Sequence, residues 1–146
     1  MEQSADEILD AAHEQHLAGR LAESIELYQR IDIALDPFPY GGGITTCDAL
    51  WMGVPVITLR GKTAVGRGGT TILSNLDLEQ FVARSLEQYI TAATALANDL
   101  ALLSEMRTTL RQRMLDSPLM DASRFARDVE GAFLKMWSEW TNLSNA

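Results

Sequence analysis

Residues 32–67 read DIALDPFPYGGGITTCDALWMGVPVITLRGKTAVGR, and this stretch decides the fold. Apolar residues run through 33–35 and again through 54–59, on either side of a glycine triplet at 41–43 and an apolar segment at 49–52. Pro37 and Pro39 end any helix that enters from the N-terminal side, and β-branched residues favour strands. The order predicts a strand, a glycine turn, a helix and a second strand, with the two strands parallel and joined by a right-handed crossover.

The predicted helix begins directly after the glycines. Thr45 or Thr46 is expected to cap it, Asp48 to lie in its first turn, and Gly53 to end it. The free N–H groups and positive dipole end of a helix start form an anion site, and glycines let a ligand approach the backbone. We therefore hypothesise that a nucleotide diphosphate binds here. The alternative is a ligand-free turn, because capping and dipole effects account for the same residue types.

Composition limits the classes of function. The chain has 146 residues, of which 47% are hydrophobic and 22% charged, as expected for one soluble domain. A formal net charge of -8 argues against nucleic-acid binding, which needs clustered Lys and Arg. A single cysteine, Cys47, excludes an intramolecular disulfide, and we expect it to pack in the core rather than act as a nucleophile. No leader and no apolar run of about 20 residues is evident, so we expect a cytoplasmic protein with no membrane partner.

The first 31 residues predict two helices that break at Gly19. Ser4 is the expected N-cap of the first helix, and Ser24 and Tyr28 fall on one face of the second. This pattern resembles a single tetratricopeptide repeat, so we expect residues 1–31 to form a tetratricopeptide-like helix pair. His13 and His16 have a spacing that could hold a metal, but no third ligand accompanies them, and we interpret them as solvated polar positions.

Helices should dominate the rest of the chain. Asp77, Ser85, Asp99 and Asp121 each precede an apolar helical pattern and are expected to cap it, and residues 143–146 should form a disordered tail. In the last helix an apolar stripe is predicted from Phe125, Val129, Phe133, Met136, Trp137 and Trp140.

A dense set of residues follows one known pattern: Asp36, Phe38, Pro39, Tyr40, Gly42, Gly43, Thr45, Thr46, Cys47, Asp48, Ala49, Leu50, Trp51, Met52, Gly53, Val54 and Pro55. The pattern continues in a loop with Gly61, Arg67 and Gly69, and in the tail from Ser117 to Trp140. With these residues, the chain resembles the bacterial O-linked N-acetylglucosamine transferase (SPINDLY-like) family over residues 31–140. The resemblance implies a donor substrate, UDP-N-acetylglucosamine, and no cofactor or metal.

The resemblance also implies a fold and a site. The expected fold is α/β and forms a partial Rossmann-like lobe of a two-lobe glycosyltransferase. This lobe should be mostly helical with two parallel strands, and the helical hairpin should precede it. Residues 32–142 would be the C-terminal portion of the nucleotide-sugar-binding catalytic lobe. The closing helix of the family packs back against the first lobe. The implied substrate-binding residues for the UDP moiety are Gly42, Gly43, Thr45 and Thr46 at the phosphates, Asp48 at the ribose, and Arg67 as a neutralising cation.

Departures from the family pattern lower the expected affinity and activity. Gly41 stands where the family usually has Asn, and Ile44 where it usually has Thr, so weak binding of the nucleotide sugar is expected. The first lobe and the acceptor site precede the equivalent of Ile31 in the family. We therefore expect a fragment that is inactive alone, as an internal deletion would leave, with no catalytic residue assigned. The alternative is a non-catalytic helical protein-interaction module. A protein partner or a second copy is expected to cover the exposed sheet edges.

Overall fold

The computed structural model describes residues 3–144. The helices in this part are α1 (Ala5–Leu17), α2 (Leu21–Tyr28), α3 (Ile44–Trp51), α4 (Gly68–Ser74), α5 (Leu86–Ala97), α6 (Leu100–Leu115) and α7 (Ala122–Ser144). The strands are β1 (Ala34–Leu35), β2 (Val56–Leu59) and β3 (Val82–Ala83). Short 3-10 turns lie at Val65–Arg67, Glu79–Phe81 and Pro118–Met120. The molecule is a mostly helical α/β structure, as the sequence predicts.

The three strands form one parallel sheet in the order β1-β2-β3. Ala34 pairs with Val56, and Thr58 pairs with Val82. The sequence predicted only two strands. The third arises because the segment after Asp77, which was predicted to be a helix, forms a 3-10 turn and a strand. Asp77 adopts a left-handed φ of 53°, and after one 3-10 turn the chain enters β3 beside β2. Since β2 is therefore the central strand, residues 56–58 are buried.

Local capping signals place most helix starts where the sequence predicts them. Ser4 forms a capping box with Glu7 at the start of α1, and Ser85 accepts from Gln88 N at 3.3 Å at the start of α5. Asp99 Oδ1 accepts from Leu102 N at 2.9 Å. These contacts satisfy amides that have no acceptor within their own helix.

The α1–α2 hairpin shares the core of the sheet. Gly19 ends α1 with a left-handed φ of 74°, as the sequence predicts. The Ser24 hydroxyl donates to Ala12 O at 2.8 Å and joins the two helices. Ile8, Ala12 and Tyr28 belong to the same buried cluster as the residues of α3 and β2. The hairpin therefore depends on the rest of the chain for burial.

Gly53 connects α3 to β2 in a conformation that requires glycine. Its φ is 80°, and Val54 N donates to Ala49 O at 2.8 Å in a Schellman-type ending. A Cβ at Gly53 would lie 2.5 Å from Arg107 O on α6. The same Arg107 guanidinium donates to Ile31 O and so ties the end of the hairpin to α6.

The last helix, α7, is solvent-exposed along almost its whole length. Asp121 caps it as predicted, with Arg124 N donating to Asp121 Oδ1 at 2.8 Å. The helix extends through Ser144, two residues into the predicted tail, and residues 145–146 lie outside the described residues. None of the helices within residues 3–144 has the length and apolar character needed to cross a membrane.

Candidate functional site

A buried carboxylate, Asp36, organises the glycine turn. Its side chain is 4% exposed, and its oxygens accept from Gly42 N and from Thr58 Oγ1, each at 2.6 Å. The Asp36 carbonyl accepts from the Tyr89 hydroxyl at 2.9 Å. A buried carboxylate is tolerated only when such donors replace water. Asp36 therefore joins the end of β1 to the turn, to β2 and to α5.

The glycines of the turn are explained first by their closeness to Asp36. A Cβ at Gly41 would lie 3.0 Å from Asp36 Oδ2, and a Cβ at Gly42 would lie 2.7 Å from Thr45 Oγ1. Gly69, at the start of α4, packs against the same carboxylate, and its Cβ would lie 2.5 Å from Thr58 Oγ1. A Cβ at Gly43 would meet nothing within 4 Å. The turn is therefore closed on its Asp36 side and open at Gly43.

The start of α3 presents amides that have no acceptor within the helix. Gly43 is the N-cap and no side chain caps the helix, so the prediction that Thr45 or Thr46 caps it is wrong. The first helical hydrogen bond is Cys47 N to Gly43 O at 3.0 Å, and the amides of residues 44–46 precede it. Ile44 is 69% exposed, so this end of the helix lies at the surface. Thr45 is half-buried and Thr46 is buried against the turn.

Arg67 lies beside the same turn. It ends the 3-10 turn and precedes α4, and its side chain is exposed. Gly66 and Gly68 flank Arg67 in the chain. A Cβ at Gly66 would lie 3.0 Å from Pro39 O, and a Cβ at Gly68 would lie 3.4 Å from Gly42 O. The backbone at Arg67 therefore runs against the glycine turn. Its guanidinium takes part in none of the ion pairs found within residues 3–144.

Asp48 lies one turn further along α3 and contacts the hairpin. The prediction that it occupies the first helical turn is wrong, because α3 begins at Ile44. Asp48 Oδ2 is 3.3 Å from His13 Nδ1 and 3.2 Å from His16 Nδ1. His16 remains exposed, as predicted, whereas His13 is partly buried by this contact. Sequence reasoning missed this cluster because more than 30 residues separate each histidine from its partner.

The arrangement of this cluster gives no metal centre. Both imidazoles place Nδ1 within hydrogen-bond distance of one carboxylate oxygen, Asp48 Oδ2. Within residues 3–144, no group of three or more His, Cys, Asp or Glu side chains is placed to hold a metal ion.

A cavity of about 220 Å³ opens beside Asp48, between the hairpin, α3 and α6. Arg111 forms one wall, with its guanidinium 5.1 Å from the centre of the Trp51 ring and its Nε donating to Trp51 O at 3.0 Å. The Tyr28 hydroxyl is buried and has no hydrogen-bond partner. The lining residues are His16, Leu21, Ser24, Ile25, Tyr28, Asp48, Trp51, Met52 and Arg111.

Electrostatics near Asp48 suppress ionisation of its neighbours. Burial and, secondarily, the Asp48 charge raise the pKa of the Tyr28 phenol above its usual range. The same two causes raise the pKa of the Cys47 thiol. Since the thiolate is the nucleophilic form, Cys47 is poorly suited to nucleophilic catalysis. It packs against the core, as the sequence predicts.

The chain is similar in sequence to known glycosyltransferases. The model of glycosyl transferase family 41 matches residues 14–129. The probable UDP-N-acetylglucosamine-peptide N-acetylglucosaminyltransferase SPINDLY of Solanum lycopersicum is 39% identical over 118 residues, which are 81% of this chain and 13% of that protein. The corresponding protein of Eustoma exaltatum subsp. russellianum is 41% identical over 118 residues, with the same two shares. The chain therefore spans about an eighth of the length of these curated relatives.

A solved structure matches as well. A point mutant of the Thermobaculum terrenum O-GlcNAc transferase superposes with a TM-score of 0.71 at 38% sequence identity. The match covers 79% of this chain and 22% of that chain. The region that matches the family model begins within α1, so it includes α2 as well as the glycine turn.

Proposed function

The chain belongs to glycosyl transferase family 41, and from this premise we propose that it retains part of a binding site for UDP-N-acetylglucosamine. The names of its relatives describe transfer of N-acetylglucosamine from this donor to a peptide. Since the chain spans 13% of those proteins, the proposal is limited to binding of the diphosphate and ribose. Transfer is not proposed for the chain alone.

The diphosphate is assigned to the start of α3. The observation that carries the proposal is the set of amides at residues 44–46, which have no helical acceptor and lie at an exposed helix start. Helix starts favour anions through these N–H groups and through the helix dipole. Arg67 supplies a cation beside the same turn, and the open side of Gly43 admits the ligand.

The ribose is assigned to the cavity at Asp48. A carboxylate accepts hydrogen bonds from a sugar diol, and the unpartnered Tyr28 hydroxyl adds a neutral donor in the same wall. Asp48 Oδ2 is already within hydrogen-bond distance of His13 and His16, so the nucleotide competes with the hairpin for this carboxylate. A cavity of about 220 Å³ is also smaller than most complete ligand sites. Weak binding, with a Kd of roughly 1 mM, follows from these costs.

The absence of transfer by this chain is proposed from the same geometry. Sugar transfer to a hydroxyl needs a group that accepts the proton of that hydroxyl. Asp36 is buried and bonded to Gly42 and Thr58, and Asp48 is engaged by the hairpin. Within residues 3–144, neither carboxylate near the turn is free to act as that base.

Ligand-observed NMR with UDP tests both assignments. Phosphorus line broadening reports contact with the diphosphate, and saturation transfer to the ribose protons reports contact with the sugar. Arg67→Ala should reduce the broadening of the phosphorus lines. Asp48→Asn should reduce the saturation transfer to the ribose protons. Arg124→Ala, which removes a cation from the exposed α7, should change neither. Absence of both signals at about 10 mM UDP, well above the expected Kd, would refute the proposal, and product formation from UDP-N-acetylglucosamine would contradict the claim of inactivity.

A further inference from the structure

Two histidines of α1 reach one oxygen of the Asp48 carboxylate. His13 and His16 lie three residues apart, so they share one side of the helix. Their Nδ1 atoms are 3.3 Å and 3.2 Å from Asp48 Oδ2. Since an ionised carboxylate only accepts hydrogen bonds, a bond at either distance requires the proton on Nδ1. Two such donors occupy both lone pairs of Oδ2.

The second oxygen of this carboxylate has a different environment. Within residues 3–144, Asp48 Oδ1 accepts no hydrogen bond, so the histidines occupy only one half of the carboxylate. The Asp48 side chain is 17% exposed and lines the cavity between the hairpin, α3 and α6. A ligand in this cavity therefore meets one acceptor oxygen that is open and one that is already in use.

The backbone of α1 keeps the histidines at this position. Ala12 is buried, and its carbonyl accepts from the Ser24 hydroxyl at 2.8 Å. The imidazoles are less enclosed, because the side chains of His13 and His16 are 24% and 45% exposed. They can leave Asp48 by rotation of their side chains while α1 stays packed. Contacts between partly exposed groups are weak, so a ligand can displace them.

We propose that His13 and His16 set how strongly the site distinguishes a ribose from a 2′-deoxyribose. This role rests on the proposed function, in which Asp48 binds the ribose of the nucleotide. The 2′- and 3′-hydroxyls of a ribose form a diol, and a carboxylate can accept from both, one at each oxygen. With the histidines on Oδ2, only one hydroxyl finds an open acceptor, and the second must displace an imidazole.

The histidines act through Asp48 and need no contact with the nucleotide. They lower the affinity for a ribonucleotide, because its second hydroxyl competes with them for Oδ2. They leave the affinity for a 2′-deoxyribonucleotide almost unchanged, because Oδ1 serves its single hydroxyl. Removal of the histidines frees Oδ2, and one hydrogen bond to a charged acceptor corresponds to about a tenfold change in Kd.

NMR titration of the full chain with UDP and with 2′-deoxy-UDP, at one fixed pH, measures this discrimination. The wild type should bind the two nucleotides with Kd values within about threefold of each other. His13→Ala/His16→Ala should bind UDP about tenfold more tightly and 2′-deoxy-UDP with unchanged affinity. Gln15→Ala is the matched control, because the Gln15 side chain lies on the same helix but bonds to Arg20, and it should match the wild type for both nucleotides.

Two further variants separate release of the carboxylate from a general opening of the cavity. His16→Ala alone, at the more exposed position, should give a smaller gain for UDP only. In an Asp48→Asn background, removal of both histidines should leave the UDP affinity unchanged. Circular dichroism verifies that every variant folds.

The outcomes distinguish this role from the proposed function on which it rests. If the wild type binds both nucleotides but removal of the histidines gives no gain, or an equal gain for UDP and 2′-deoxy-UDP, the histidines do not control Oδ2 and the diphosphate site stands. If neither nucleotide binds to the wild type or to any variant at about 10 mM, the UDP site is wrong and the role of the histidines is wrong with it.

Discussion

Replacement of Asp36 by Asn should destabilise the fold strongly, because this carboxylate holds the glycine turn on the sheet. Asn matches Asp in shape, but its NH₂ group either faces the Gly42 N–H or donates to Thr58 Oγ1 and displaces the hydroxyl proton from its acceptor. At least one charge-assisted hydrogen bond is lost and one buried donor is left without an acceptor. Each effect costs about 1–3 kcal/mol, and since they overlap we expect a loss of about 2–4 kcal/mol in the free energy of unfolding.

Urea unfolding followed by circular dichroism at 25 °C and fixed protein concentration measures this loss. With a urea m-value of about 2 kcal/mol/M, the middle of the usual range, the midpoint should fall by about 1–2 M. Asp32→Asn is the matched control, because Asp32 is 83% exposed and its 3.7 Å ion pair with Arg107 should contribute less than about 1 kcal/mol. Combining Asp36→Asn with Thr58→Val should give less than the sum of the two losses, because the residues share a bond. A midpoint for Asp36→Asn within error of wild type would show that the Asp36 carboxylate does not hold the glycine turn on the sheet.

Two further predictions concern the glycines at residues 69 and 131 and the reactivity of Cys47. Gly69→Ala should lower the free energy of unfolding by more than 1 kcal/mol, because the added Cβ would overlap Asp36. Gly131→Ala on α7, where a Cβ would meet nothing within 4 Å, should raise the free energy of unfolding by about 0.5–1 kcal/mol through helix propensity. Equal urea midpoints for the two variants would contradict this prediction. Cys47 should react with iodoacetamide at pH 8 more slowly than free cysteine, because its pKa is raised. Asp48→Asn removes a negative charge, lowers that pKa and should speed the reaction; a slower reaction would contradict the assigned cause.

Local sequence signals predicted much of the fold. Ser4, Ser85, Asp99 and Asp121 cap the helices that they were expected to cap, because a cap depends on residues within one turn. The strands β1 and β2 also lie where the apolar runs are. The family resemblance is confirmed by the match over residues 14–129.

Long-range contacts account for what the sequence did not reveal. The sequence assigned Asp36 no structural role beyond its place in the family pattern, because its partners Thr58 and Tyr89 lie 22 and 53 residues later. The strand β3 has only two residues and gains its stability from pairing with β2, which no local pattern encodes. Asp77 precedes an apolar run and so has the pattern of a cap, but the packing of that run places it in a left-handed turn.

The glycine turn shows most clearly what the sequence alone could not predict. Gly41 and Gly42 were interpreted as room for a ligand, and the structure gives them a first role in accommodating Asp36 and Thr45. The evidence for an anion site lies instead in the open amides at the start of α3. The assignment of UDP to this turn stays a prediction that binding measurements must decide.

The UDP affinity of Ile44→Thr tests whether a diphosphate binds at the start of α3. Ile44 is exposed at the first position of α3, so threonine restores the usual family residue beside the proposed phosphates without disturbing the core. One added hydrogen bond worth about 1 kcal/mol should tighten UDP binding about fivefold. Ile90→Thr, the same change at an exposed position of α5, should leave the affinity unchanged. If Ile44→Thr binds UDP no more tightly than the wild type or than Ile90→Thr, no phosphate lies at this helix start and the proposed UDP site is wrong.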